Sequence, residues 1–127
     1  MKICPQIYVR GSIEAVEFYK KAFNGTLGFN VKHDDGTYAH ASIMAGNVEI
    51  LALCENECYT VETIRSHPVM NFYIYDMGTE ESVLNAYNVL SEGAIENENP
   101  DGPGPLPWNK YSFALIDKYN IWWGIAI

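Results

Sequence analysis

The stretch Tyr38-Ala39-His40-Ala41-Ser42-Ile43-Met44-Ala45-Gly46-Asn47-Val48 decides the fold, because it recurs. Shifted by 73 positions without a gap, Tyr38, Ala41, Ile43 and Asn47 fall on Tyr111, Ala114, Ile116 and Asn120, and Val48 falls on Ile121. Both copies read as a strand, a turn and a second strand. Upstream of each lies a segment with helical periodicity. In the first, Ser12 is placed as N-cap, Ala15, Phe18, Tyr19, Ala22 and Phe23 recur on one face, and Asn24-Gly25 ends the run, predicting a helix over about Ile13 to Asn24. In the second, Thr79 caps, Glu80 and Glu81 suit the positive end of the helix dipole, and Val83, Ala86, Tyr87 and Leu90 make one face before Gly93. Offsets of 66 to 68 align these segments too, placing Val9 on Tyr75, Ser12 on Thr79, Val16 on Val83 and Tyr19 on Tyr87.

Strands are predicted at Ile3 to Val9, Thr26 to Lys32, Tyr38 to Ala45 and Val48 to Leu53 in the first half. In the second they are Val69 to Tyr75, Ala94 to Glu98, Tyr111 to Ile116 and Ile121 to Ile127. The order is βαβββ, twice, giving an α+β protein of two βαβββ modules, about 1–58 and about 67–127, within a single domain over 1–127. Each module is expected to form a curved sheet with a helix on its convex side, the two sheets edge to edge leaving a concave trough as the natural site. The run from Glu96 to Pro107, with four prolines and two glycines, reads as a surface loop.

Composition bounds the function. The chain has 127 residues, 48% of them apolar, with eight Lys and Arg against 16 Asp and Glu for a formal charge of -8. Such acidity without a basic stripe argues against nucleic acid and anionic membranes as partners. No window approaches the ~20 apolar residues of a membrane span, and no leader is read at Met1-Lys2-Ile3-Cys4-Pro5, so a cytoplasmic protein is expected. Cys4, Cys54 and Cys58 are an odd set, expected as reduced thiols. Cys54-x3-Cys58 with His67 lacks the second pair that a structural zinc site needs.

The opening Cys4-Pro5-Gln6-Ile7-Tyr8-Val9-Arg10-Gly11, followed by Glu14-Ala15-Val16-Glu17-Phe18-Tyr19-Lys20-Lys21-Ala22-Phe23, resembles the PhnB-like branch of the vicinal oxygen chelate superfamily, the glyoxalase and bleomycin-resistance fold. The ending is similar as well: Trp108-Asn109 before a strand, Asp117 opening a turn, Asn120 where the family usually has Gly, then Trp123 and Ile125. Asn tolerates the left-handed conformation better than most residues other than Gly. The resemblance implies a glyoxalase-like fold and, in metal-using members, a divalent ion held by His, Gln or Glu from the first and fourth strands of each half. Those family positions map here onto Cys4, Leu51, Met70 and Gly124, a set without a hard-metal ligand. The expected metal ligands are therefore none, and no cofactor is expected. A register two residues away would bring in Gln6 and Glu49, with Phe72 and Trp122 as their counterparts.

Glu49 is the one acid–base candidate: exposed on its strand, or held in the trough and opposed to Trp122. Ligand-binding candidates are Gln6, Tyr8, His40, Leu51, Phe72, Trp108 and Trp122. Their aromatic weight suits a planar or amphipathic small molecule. For each of them the competing reading is ordinary packing: His40 as a half-buried strand imidazole, His33 as a turn residue in solvent, and the rings as core. Trp122 and Trp123 must point to opposite faces, Trp123 under the helix. Three functions stay open at this point. One is a small-molecule-binding protein with a degenerate, metal-free site; the second is an enzyme of lyase, isomerase or dioxygenase type, with a divalent metal on Gln6, Glu49 and His40 and a substrate bearing vicinal oxygens. The third is a ligand-free dimeric interaction module. A homodimer is expected because open sheet edges invite a second copy. No glycine-rich turn follows a strand, so the methyltransferase labels attached to related sequences gain no support.

Overall fold

The structure is a computed structural model that describes residues 2–57 and 70–127. The chain divides into two compact units, Met1–Arg65 and Ser66–Ile127. Cys58, His67 and the start of the strand expected from Val69 lie outside the described residues.

In the first unit, β1 (Gln6–Val9), α1 (Ser12–Phe23), β2 (Thr26–Lys32), β3 (Tyr38–Ala45) and β4 (Val48–Glu55) form a four-stranded sheet in the order β1-β4-β3-β2. β1 runs parallel to β4, and the other pairs are antiparallel. β1 starts three residues later than expected because Pro5 has no N–H; only its carbonyl joins the ladder, accepting from Ala52. Alternation sends Ile7, Val9, Ala41, Ile43, Leu51 and Leu53 inward, where they are buried with Ala15, Val16, Tyr19 and Ala22 of α1. Burying side chains of this size contributes roughly 1.5–3 kcal/mol each.

The start of α1 differs from expectation. Gly11, at φ 83°, is the N-cap, and Ser12 is the first helical residue. A side chain from far along the chain does the capping: Glu55 accepts from the Gly11 and Ser12 backbone N–H groups, both at 3.0 Å, and from the Ser12 hydroxyl at 3.1 Å. Ser12 Oγ in turn accepts from the Tyr38 N–H at 2.8 Å. The carboxylate sits where the helix dipole and unpaired N–H groups favour an anion. Asn24 closes the helix in the left-handed region, at φ 49°.

The second unit contains β5 (Phe72–Ile74), α2 (Glu80–Leu90), β6 (Glu96–Asn97), β7 (Gly104–Leu106), β8 (Asn109–Ile116) and β9 (Trp122–Ala126). Its sheet runs β5-β9-β8-β6, with β7 also pairing β8. Thr79 caps α2 as expected, accepting from the Ser82 N–H. Trp123, Ile125, Phe113 and Leu115 are buried on one face of the sheet, with Val83, Ala86 and Leu90 of α2. Asp117, fully buried, accepts from the Trp123 indole at 2.7 Å and from the backbone N–H groups of Tyr119 and Ile121. Asn120 turns at φ 65°, the left-handed role expected of it.

β6 falls within the strand expected over Ala94 to Glu98, whereas β7 is a strand inside the Pro- and Gly-rich run expected as loop. β6 and β7 pair with β8 through Glu96↔Ile116, Asn97↔Leu115, Gly104↔Ser112 and Leu106↔Asn109. Pro105 is accommodated because the register shifts between Gly104 and Leu106, leaving its missing donor unneeded. The Tyr87 hydroxyl, donating to the Asn99 carbonyl at 2.6 Å, ties the segment to α2.

Among the described residues, no helix is long and apolar enough to cross a membrane.

Candidate functional site

The face of the first sheet turned away from α1 carries the polar chemistry. β1 presents Gln6 and Tyr8, β4 presents Ala52 and Cys54, and β3 presents His40, Ser42 and Met44, by pairing with residues of the same parity. A cleft of about 420 Å³ opens here, lined by Gln6, Tyr8, Ala39, His40, Cys54 and Glu55 on the strands and by His33, Asn56 and Glu57 just beyond them.

Glu49 reaches the same face by an irregularity. Ile43 pairs with Leu51, yet the next residue, Met44, pairs with Glu49, so Ile50 is an extra residue in β4. Such a bulge changes the parity of the strand. Without it, alternation from buried Leu51 would turn Glu49 under the helix; with it, Glu49 is exposed on the open face. There it accepts from the Ser42 hydroxyl at 2.5 Å. Ser42 Oγ also lies 3.4 Å from His40 Nε2, and Phe29 packs against the His40 ring at 5.8 Å between centroids. Cys4 approaches from the chain start: burial, then the charge of Glu49 and a hydrogen bond to it, push its thiol pKa up. Cys54 is raised by burial alone. Both thiols are free.

At the cleft wall the Gln6 amide nitrogen donates to the Tyr8 hydroxyl at 3.0 Å, so the Tyr8 O–H proton is available to a ligand. Tyr8 is 57% exposed. His33, expected as a solvent turn residue, pairs with Glu57 at 3.1 Å and forms part of the wall.

Two candidates are placed elsewhere. Leu51 is fully buried in the core beneath α1. Phe72 pairs with Trp123 and packs against its ring at 5.5 Å, on the helix side of the second sheet. Neither can line an open face. For Leu51 the cause is an equivalence wrong by one residue: the ladder Ile43↔Leu51 and Ala41↔Leu53 corresponds to Leu115↔Trp123 and Phe113↔Ile125, an offset of 72 and not 73; for Phe72 it is the opening strands, where Gln6↔Ala52 corresponds to Tyr73↔Gly124, so the counterpart of Gln6 is Tyr73. Leu51 thus matches Trp123, and Ala52 matches Gly124. In the second unit Trp122 is half-buried, opposite in parity to Trp123; Trp108 is 72% exposed beside β8 and Met70 is exposed. Tyr73 lies across Gly124, where a Cβ would come within 2.9 Å of its ring. Tyr73 also accepts from the Asn109 amide and stacks with Tyr75.

Sequence reasoning missed His33, Ala39, Cys54, Glu55, Asn56 and Glu57 of the cleft. The signal was faint: ending β4 at Leu53 removed Cys54 and Glu55 from view, whereas Val9 pairs with Glu55.

The divalent ion implied by the resemblance can be tested on the donors. The first and fourth strands of the first unit offer Gln6, Tyr8, Ala52 and Cys54 to the open face, plus Glu49. Gln6 is bonded to Tyr8 and Glu49 to Ser42. Among the described residues, no three His, Cys, Asp or Glu side chains come together as a metal-holding group.

No family model and no curated protein matches the chain. Solved structures do. A putative 3-demethylubiquinone-9 3-methyltransferase, a PhnB protein from Bacillus cereus, is similar over 99% of this chain and 98% of its own, with a TM-score of 0.78 and 22% identity. TioX from Micromonospora sp. ML1 matches over 98% and 96% with a TM-score of 0.67 and 18% identity. The fosfomycin resistance protein FosX from Listeria monocytogenes, in a complex with Mn(II) and sulfate, matches over 98% and 88% with a TM-score of 0.64 and 9% identity. The two-unit architecture of this chain is therefore the fold of these solved structures, the glyoxalase-like fold that its sequence resembles.

Proposed function

We propose that this protein binds a small organic molecule in the cleft of the first unit, through a site that does not depend on a metal. The cleft carries the reading: its volume of about 420 Å³ lies in the range of small-molecule sites, and its walls combine the Tyr8 and His40 rings with a few fixed polar groups. Tyr8 offers a donor and His40 a ring nitrogen, which suits a planar or amphipathic molecule with polar groups at its rim. Glu49 acts through Ser42, as a group that orients the site. The similarity of fold to proteins such as FosX and TioX supports a ligand-binding role. Phe29 and Val31, exposed on edge strand β2, support association with a second copy, which sedimentation would measure. The free thiols of Cys4 and Cys54 accord with a cytoplasmic setting.

The test is a thermal-stability screen against small aromatic and amphipathic molecules, run beside nickel, zinc, manganese and ferrous ions. A ligand at ~100 times its dissociation constant stabilises by ~2.7 kcal/mol. An organic hit whose shift is lost in Tyr8→Ala and His40→Ala is expected, with no shift from the metals. A metal-induced shift abolished by Glu49→Ala would instead establish the metal-dependent enzyme of lyase, isomerase or dioxygenase type. A screen without hits would leave the interaction-module reading.

A further inference from the structure

The Ser42 hydroxyl is buried, with 4% of the residue exposed, and touches two functional groups at once. It has one proton to give. At 2.5 Å from a Glu49 carboxylate oxygen, that proton is committed: a carboxylate only accepts, and a charge-assisted bond is stronger than one to a neutral imidazole. Toward His40, 3.4 Å away, Ser42 can therefore only accept. The consequence falls on the imidazole, whose neutral ring carries one N–H and one lone pair. Nε2 must hold the hydrogen, and Nδ1 is left as the acceptor. Phe29 packs against the ring and limits its rotation.

We infer that Glu49 and Ser42 fix His40 as a hydrogen-bond acceptor at the cleft, so that the cleft selects ligands carrying an O–H or N–H donor. This rests on the reading of the cleft as a binding site and adds to it the ligand's chemistry. Glu49 and Ser42 are positioning residues, and His40 is the group that meets the ligand. Tyr8 complements it from β1 with a donor, so the preferred ligand has a donor and an acceptor on one planar frame.

The tautomer of His40 is measurable without any ligand. Ring carbon and nitrogen chemical shifts, read in alkaline buffer, report it directly; His40→Gln assigns the signals. The wild type is expected to hold the Nε2–H form. Glu49→Ala, at an exposed position, releases the Ser42 proton, which can then turn to Nε2, so the equilibrium should swing toward the Nδ1–H form. Ser42→Ala should remove the preference and leave a mixture. An Nδ1–H wild type, or a tautomer indifferent to Glu49→Ala, overturns the inference, since a merely structural role for Glu49 would not move it. Phenol and anisole then serve as a probe pair differing in one donor. Phenol alone should shift the His40 signals. Equal response to both overturns donor selection. A correct tautomer with no response of Tyr8 or His40 to either probe overturns the binding reading of the cleft instead.

Discussion

The two β-hairpins differ by one residue, and that residue decides what each open face displays. In the second unit Leu115↔Trp123 is followed by Ile116↔Trp122, and the ladder is regular into the turn at Asp117. In the first, Ile43↔Leu51 is followed by Met44↔Glu49, and Ile50 bulges. The regular hairpin puts Trp122 opposite in parity to Trp123. The bulged one lets a carboxylate two residues before a buried leucine reach the solvent side, where Ser42 holds it. The helix starts differ in the same spirit: α2 is capped from within by Thr79, α1 from across the sheet by Glu55.

The largest effects should come from the matched core positions Trp123 and Leu51. Trp123→Ala removes a fully buried ring and one hydrogen bond to the Asp117 carboxylate, and urea unfolding should show a loss of about 3–5 kcal/mol. Leu51→Ala should lose about 2–5 kcal/mol, as a core residue and not a ligand-contacting one, and should leave the occupancy of the cleft unchanged. If Leu51→Ala alters ligand contacts while barely changing stability, the one-residue correction between the two hairpins is wrong.

Next come the caps. Glu55→Ala leaves two backbone N–H groups and the Ser12 hydroxyl without their acceptor and should cost roughly 2 kcal/mol; Thr79→Ala should cost roughly 1 kcal/mol. Equal costs would mean that the long-range clip is no stronger than the local one. Gly124→Ala sets a methyl against the Tyr73 ring, and because Tyr73 is half exposed and can tilt, a loss of about 1 kcal/mol is expected, with Tyr73 and Tyr75 ring signals moving in NMR spectra. Ala52→Gly, at the matched position of the first unit, should leave those rings undisturbed.

The smallest effect is in the thiol beside Glu49. Burial and the Glu49 charge raise the Cys4 pKa above its ordinary 9.0, so the neutral thiol is the form the fold prefers. That contribution is complete below the ordinary value and is lost as pH rises through the folded-state value. Stability should therefore sag slightly on the alkaline side, less so in Glu49→Gln. Iodoacetamide should alkylate Cys4 more slowly than a peptide thiol and faster once Glu49 is neutralised.

The sequence by itself determined the element order apart from β7, because periodicity and end signals are local: α2 begins after Thr79 and Asn120 takes the left-handed turn, both as the residues predict. It also determined that the fold is repeated and glyoxalase-like, since one copy of the pattern validates the other. Only the tertiary structure decided which residues share a face. A bulge is one residue of slippage between strands, set by how β3 and β4 pair, and no composition rule marks Ile50 as the extra one. Leu51 and Phe72 were placed on the wrong side, and Glu49 reached the open face, because strand parity accumulates such slips. Glu55 stayed invisible for a related reason: its role depends on Gly11 and Ser12, more than forty residues away, and a contact at that separation exists only once the sheet has closed.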